Sequence, residues 1–142
     1  MITVSAHVVI NRPVEEVFPQ IADPVNHLKW DKGGLQHVEK LNKGPLGVGA
    51  KYHFTEEDAG KFDVEITEFE PPRHLIQHFK MKYGDGKHKF ELIPIPEGTR
   101  LHQEIHISPK GFYKMFGSKI KDILKDRIEI SGERIKLFFE KK

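Results

Sequence analysis

A change of hydrophobic period near residue 110 constrains this chain more than any other feature. Before it, apolar residues recur at every second position in a series of short segments, as in strands with one buried face. After Pro109 and Gly111 the spacing turns helical and stays so. Phe116, Ile120, Ile123, Leu124, Ile128, Ile135 and Phe138 fall on one broad stripe at ~100° per residue. A sheet with one apolar face and one long amphipathic helix satisfy each other only if the sheet curls around the helix. The expected class is α+β: a curved antiparallel sheet of about seven strands, a long C-terminal helix, and two short helices after the first strand.

The first strand runs from Thr3 to Ile10, with Val4, Ala6, Val8 and Ile10 on one face. Pro13 suits the first position of a helix that continues through Val14, Val17, Phe18 and Ile21, with Glu15 and Glu16 in its first turn. Pro19 should bend or shorten it, giving two short pieces, the second near "PVNHLKW". "LQHVEKL" is weakly patterned, "KYHF" puts Tyr52 and Phe54 on one face, and "KFDVEITEFE" does so for Phe62, Val64 and Ile66. Phe69 then falls out of phase, as a β-bulge would cause. "RHLIQHFKM" and "HKFELIPI" flank "YGDGK", where Asp85-Gly86 suits a tight hairpin turn, and Gly98 marks the next hairpin. "TRLHQEIHI" puts Leu101, Gln103, Ile105 and Ile107 on one face and Arg100, His102, Glu104 and His106 on the other. Without a repeat, linker or low-complexity segment, a single domain over 1–142 is expected.

Composition narrows the function. A net charge of +2 gives no strong overall pull toward nucleic acid or an anionic membrane. The absence of cysteine removes disulfides and thiolate chemistry. No apolar run approaches the ~18 residues of a membrane span and the start lacks the pattern of a signal peptide, so a cytoplasmic protein without stable membrane insertion is expected. Gly44, Gly47 and Gly49 in "GPLGVGAKYHF" echo a phosphate loop, but a strand follows them and no G-K-[ST] occurs, so they only turn the chain. His102 and His106 lie about 13 Å apart along a strand, too far to share a metal, and no zinc spacing occurs. Neither metal nor cofactor is expected. Ser5, Ser108, Ser118 and Ser131 lack a nucleophile-elbow context. A single buried carboxylate or histidine would suffice for acid–base chemistry.

"INRPVEEVFPQIADPVNHLKW", "GPLGVGAKYHF", "ITEFEPPRHLI" and "GTRLHQEIHI", in this order over nearly the whole chain, resemble the START-like SRPBCC superfamily. The similarity is greatest to its polyketide cyclase/dehydrase and lipid-transport-like branch. The resemblance implies a helix-grip fold with a cavity between sheet and last helix, holding a small apolar ligand. That superfamily spans transporters, cyclases, allergens and co-chaperones, so the resemblance alone does not fix the ligand.

On this reading the chain binds or transports a hydrophobic or amphipathic molecule such as a lipid, fatty acid or polyketide-like aromatic. An aromatase, cyclase or dehydrase is the alternative, and a buried acid or histidine of shifted pKa beside an open pocket would favour it. A protein-binding module, co-chaperone-like or toxin-like, is the third reading, and an exposed apolar patch would favour that one. The expected cavity lining comprises Tyr52, Phe54, Phe79, Phe90, Leu101, Gln103 and Ile105 from the sheet, and Ile120 and Leu124 from the helix. Trp30 stands where the resembling proteins place an aromatic lid. With Phe116 at 0°, Arg127 falls at about 20° and Arg134 at about 0°, both inside the apolar stripe. Either they snorkel past the sheet edge or pair with acids from a strand, or they bind a carboxylate or phosphate headgroup in the cavity. Lys29 and Lys32 could attract an anionic ligand or membrane surface, though a solvated face is the simpler reading.

Overall fold

A computed structural model describes residues 1–31, 34–57 and 59–141. Among these, seven strands form one antiparallel sheet in the order β1-β7-β6-β5-β4-β3-β2. Their bounds are β1 Ile2–Ile10, β2 Leu35–Lys40, β3 Lys51–Glu56, β4 Gly60–Glu70, β5 His74–Met81, β6 Gly84–Ile95 and β7 Gly98–Pro109. Strands β2 to β7 form a meander, and β1 pairs with its last strand, Ile2 opposite Ile107 and Ile10 opposite Thr99. The chain crosses from β1 to β2 through α1 (Val14–Ala22), a 3-10 turn (Pro24–Asn26) and α2 (His27–Trp30). A second 3-10 segment (Gly111–Phe116) leads into α3 (Gly117–Glu140), which packs against β1 and β7. The architecture is the expected α+β one.

Local chemistry explains most boundaries, and four features differ from the sequence reading. Pro13 is the N-cap of α1, which therefore starts one residue later than expected, and the Pro13 carbonyl accepts from the N–H groups of Glu16 and Val17. Pro19 leaves α1 intact: the bond it removes would reach the carbonyl of Glu15, an exposed residue. The break comes at Asp23-Pro24, because a residue before proline avoids helical geometry. There the Asp23 carboxylate accepts from the Val25 N–H at 3.1 Å. The β5–β6 turn is Lys82-Tyr83, closed by the Met81–Gly84 pair, so Asp85 and Gly86 lie within β6. Close approach of β7 explains the glycines: a Cβ at Gly84 would collide with the Ser108 carbonyl, and one at Gly86 with that of His106. The bulge expected in β4 is present. Ile66 faces Gln77 and Glu68 faces Ile76, so the extra residue, Thr67, returns Phe69 to the concave side, where it meets Phe18 edge-on at 5.6 Å.

The fourth difference is the phase of the last helix. Phe116 ends the 3-10 segment and is 45% exposed, so it cannot anchor the buried stripe. The residues of α3 that bury are Ile120, Leu124, Ile128, Gly132, Ile135 and Phe139, a stripe rotated by roughly a sixth of a turn. Phe138 is half-buried. Arg127 and Arg134 therefore sit on the flank of the apolar face. Gly132 faces β1, where a Cβ would meet Val8 Cγ1 at 3.4 Å.

The buried apolar residues divide in two. One cluster gathers α1, Trp30, Leu75, Phe90, Leu92, Leu101, Ile135 and Phe139; the other gathers β2–β4, Phe79, Met81, Ile105, Ile107, Ile120, Leu124 and Ile128.

Candidate functional site

Residues of both clusters line a cavity of about 210 Å³. Its walls are apolar, with Phe54 and Phe62 stacked at 5.1 Å and Phe79, Met81 and Ile105 beside them. Trp30 also lines it, held by its indole N–H donating to the Gln20 carbonyl at 3.0 Å. Half-exposed Asp31, Glu56, Arg127, Ser131 and Arg134 and exposed Ile130 mark the mouth.

Sheet periodicity places three polar side chains on the wall and just behind it. Gln77 on β5 is the cross-strand neighbour of His88 on β6, and Gln103 on β7 that of Phe90. All three therefore point to the concave side. Gln103 is 2% exposed and does not line the cavity; its amide N–H donates to the Ile128 carbonyl at 3.4 Å. Its oxygen therefore faces His88 Nε2 at 2.9 Å, which makes Nε2 the protonated nitrogen and leaves Nδ1 a lone-pair acceptor. His88 also stacks on Phe90 at 4.0 Å. His27, at the start of α2, donates from Nε2 to the Ile21 carbonyl at 2.7 Å, so its Nδ1 is likewise the acceptor.

Burial pushes the His88 imidazole down to about 4, against the Gln103 hydrogen bond, and the charge His27 would carry pushes it further down. Burial also lowers His27, against the Ile21 bond and the charges of Asp31 and Asp23. Both rings are neutral at neutral pH. Beside them the Gln77 amide nitrogen is buried with no hydrogen-bond partner among the described residues.

At the mouth each arginine meets an acid. Arg127 donates to Glu56, and Arg134 to Asp31 at 2.5 Å. Burial lowers the Arg127 pKa, and the charge of Asp31 opposes that. The flank position of both side chains brings them to these partners.

The family model described as polyketide cyclase / dehydrase and lipid transport matches residues 1–131. The chain belongs to this family. No curated protein matches it. Solved structures share its fold, at identities that speak to fold alone. CV1439 from Chromobacterium violaceum is 19% identical with a TM-score of 0.73, covering 99% of each chain. DynU16, from the dynemicin biosynthetic locus, is 20% identical with a TM-score of 0.66; the match covers 92% of this chain and 46% of that one. Ara h 8.0201 is 13% identical with a TM-score of 0.75, covering 99% and 98%.

Within this SRPBCC-type fold, the residues named from sequence fall into two groups. Trp30, Phe54, Phe79, Phe90, Ile105, Leu124, Arg127 and Arg134 line the cavity. Tyr52, Leu101 and Ile120 are buried in the core away from it, and Gln103 stands behind His88. Burial raises the Tyr52 hydroxyl to about 12, with the charge of Asp23 adding to it. Lys29 is exposed, and Lys32 lies outside the described residues. The convex-side histidines sit against acids, His53 by Asp63 at 2.6 Å, His74 by Glu68 at 3.4 Å and His106 by Glu104 at 3.1 Å. Sequence reasoning passed over His27, Gln77 and His88. Alternation with Phe90 and Leu92 marks His88 as inward, and alternation with Leu75 and Phe79 marks Gln77.

Proposed function

We propose that the cavity binds a compact, neutral, amphipathic molecule: an aromatic or fused-ring body bearing a hydroxyl or carbonyl. The observation that carries this reading is the unpartnered Gln77 amide beside two neutral histidines in an apolar-walled hollow. A buried unsatisfied donor costs about 1–3 kcal/mol. The terminal torsion of glutamine is soft, so the amide turns readily toward an acceptor in the cavity. A ligand hydroxyl can accept from Gln77 and donate to an imidazole Nδ1. Size supports a compact ligand: a cavity of ~150 Å³ holds benzene, whereas drug-sized ligands need ~300 Å³ or more. Charge supports a neutral one, because Glu56 and Asp31 already neutralise the arginines that would otherwise hold an acidic headgroup.

Trp30 is the only tryptophan and lines the cavity, so its fluorescence reports occupancy directly. Titration with 2-naphthol should give saturable quenching, weakened in Gln77→Leu. Absence of quenching, or equal affinity in the variant, would refute the reading. The histidine pair favours a second reading, an enzyme of the cyclase or dehydrase kind, in which an imidazole Nδ1 takes a proton from carbon beside a carbonyl held by Gln77. It requires deuterium exchange at the α-carbons of 2-tetralone to be faster with protein and slower again in His88→Gln.

A further inference from the structure

The segment between β7 and α3 turns apolar side chains outward. Phe112 is 64% exposed, Met115 81% and Phe116 45%. Ring contacts hold the two phenylalanines there. Tyr113 tucks inward, edge-on to Tyr83 at 5.3 Å, while Phe112 stacks on Tyr113 at 4.3 Å and meets Phe116 edge-on at 6.1 Å. The result is an aromatic platform whose inner half is fixed to the sheet and whose outer half faces solvent.

The segment's own charges are all positive. Residues 109–121, "PKGFYKMFGSKIK", carry four lysines and no acid. Lys114 and Lys119 are exposed beside the aromatic residues, and Lys110 lies 3.3 Å from Asp85 on β6. We propose that this platform docks on an anionic lipid surface, with Phe112, Met115 and Phe116 entering the headgroup boundary and Lys114 and Lys119 meeting lipid phosphates. The net charge of +2 conceals this local concentration. Apolar residues ringed by lysine are the combination that binds interfaces, where burial and attraction to anionic lipid add. A second copy of the chain fits less well. At ~200 Å² per large side chain, the three residues expose roughly 400 Å², about half of the ~800 Å² each partner buries in a stable pair, and facing lysines would repel.

Docking here is peripheral: among the described residues no helix is long and apolar enough to cross a membrane. Phe116 lies roughly 16 Å along the helix from Arg127, so the cavity mouth stays clear. The proposal does not depend on what the cavity holds.

The test is co-sedimentation with phosphatidylcholine vesicles, with and without phosphatidylglycerol. The protein should pellet with the anionic vesicles alone and be released as salt rises to about 0.5 M. The triple variant Phe112→Ser/Met115→Ser/Phe116→Ser should partition at least about tenfold more weakly. Lys114→Glu/Lys119→Glu, which keeps the aromatic packing, should also lose binding, and circular dichroism checks that both variants fold. Failure to pellet, equal pelleting with neutral vesicles, or unchanged binding in the charge variant would overturn the proposal. So would a lipid-free dimer that the triple variant splits, in a protein that ignores vesicles.

Discussion

Acidification should destabilise this fold through His88, and His88→Gln should remove much of that sensitivity. In the unfolded chain His88 takes up a proton below about pH 6.5; in the folded protein burial delays this to about 4. Between those values the unfolded state holds one more proton than the native state, so stability falls as pH falls. Above the window the ring is neutral in both states and has no effect. At ~1.4 kcal/mol per tenfold change in proton affinity, the full window amounts to about 3 kcal/mol, and the part between about pH 7 and about pH 5 to about 2 kcal/mol. These are upper bounds, because part of the ring faces the cavity. Glutamine keeps a neutral donor for the Gln103 oxygen but cannot take up a proton. Urea denaturation at several pH values, read by Trp30 fluorescence and by circular dichroism, measures the slope for both proteins. His27 is lowered in the same direction and is present in both proteins, so the difference between slopes reads His88 together with its coupling to His27. Identical slopes would show that the His88 ring is not the buried neutral base described above.

Three further outcomes follow from contacts already described. Gln77→Leu should stabilise the ligand-free protein by about 1 kcal/mol in urea denaturation, since it removes a buried donor without a partner. Gly132→Ala should stabilise by about 0.5–1 kcal/mol through helix propensity, its Cβ meeting Val8 at an ordinary contact distance, whereas Gly86→Ala should destabilise by about 2 kcal/mol or more against the His106 carbonyl. Arg127→Leu and Arg134→Leu should each cost about 1 kcal/mol of stability by stranding Glu56 or Asp31, yet leave 2-naphthol affinity unchanged; a large loss of affinity would restore the arginines as headgroup ligands.

The strands were legible because burial on one face imposes a period of two, which even exposed the Thr67 bulge through the misplaced Phe69. The last helix was legible in existence but not in phase. Phe116 matches the helical spacing by chance, and nothing in the sequence separates a 3-10 lead-in from the first turn of a helix. The hairpin reading failed at Asp85-Gly86 because glycine serves two ends. It permits tight turns, and it also lets a neighbouring strand approach, as at Gly86. The arginines' partners were invisible. Glu56 lies 71 residues from Arg127 and Asp31 lies 103 from Arg134, distances that only the folding of sheet and helix together removes. His88 and Gln77 carried a readable signal, their place in alternating strands, but polar residues on an apolar face are easily assigned to solvent.

The cavity wall is built on alternate positions of antiparallel strands, where backbone bonds hold the sheet whatever the side chains are. Exchanging Phe79 or Ile105 for another apolar residue would reshape the hollow while leaving strand pairing untouched. Chemical preference and architecture can thus drift apart. Relatives with the same outline would then differ in their guests through a handful of inward substitutions.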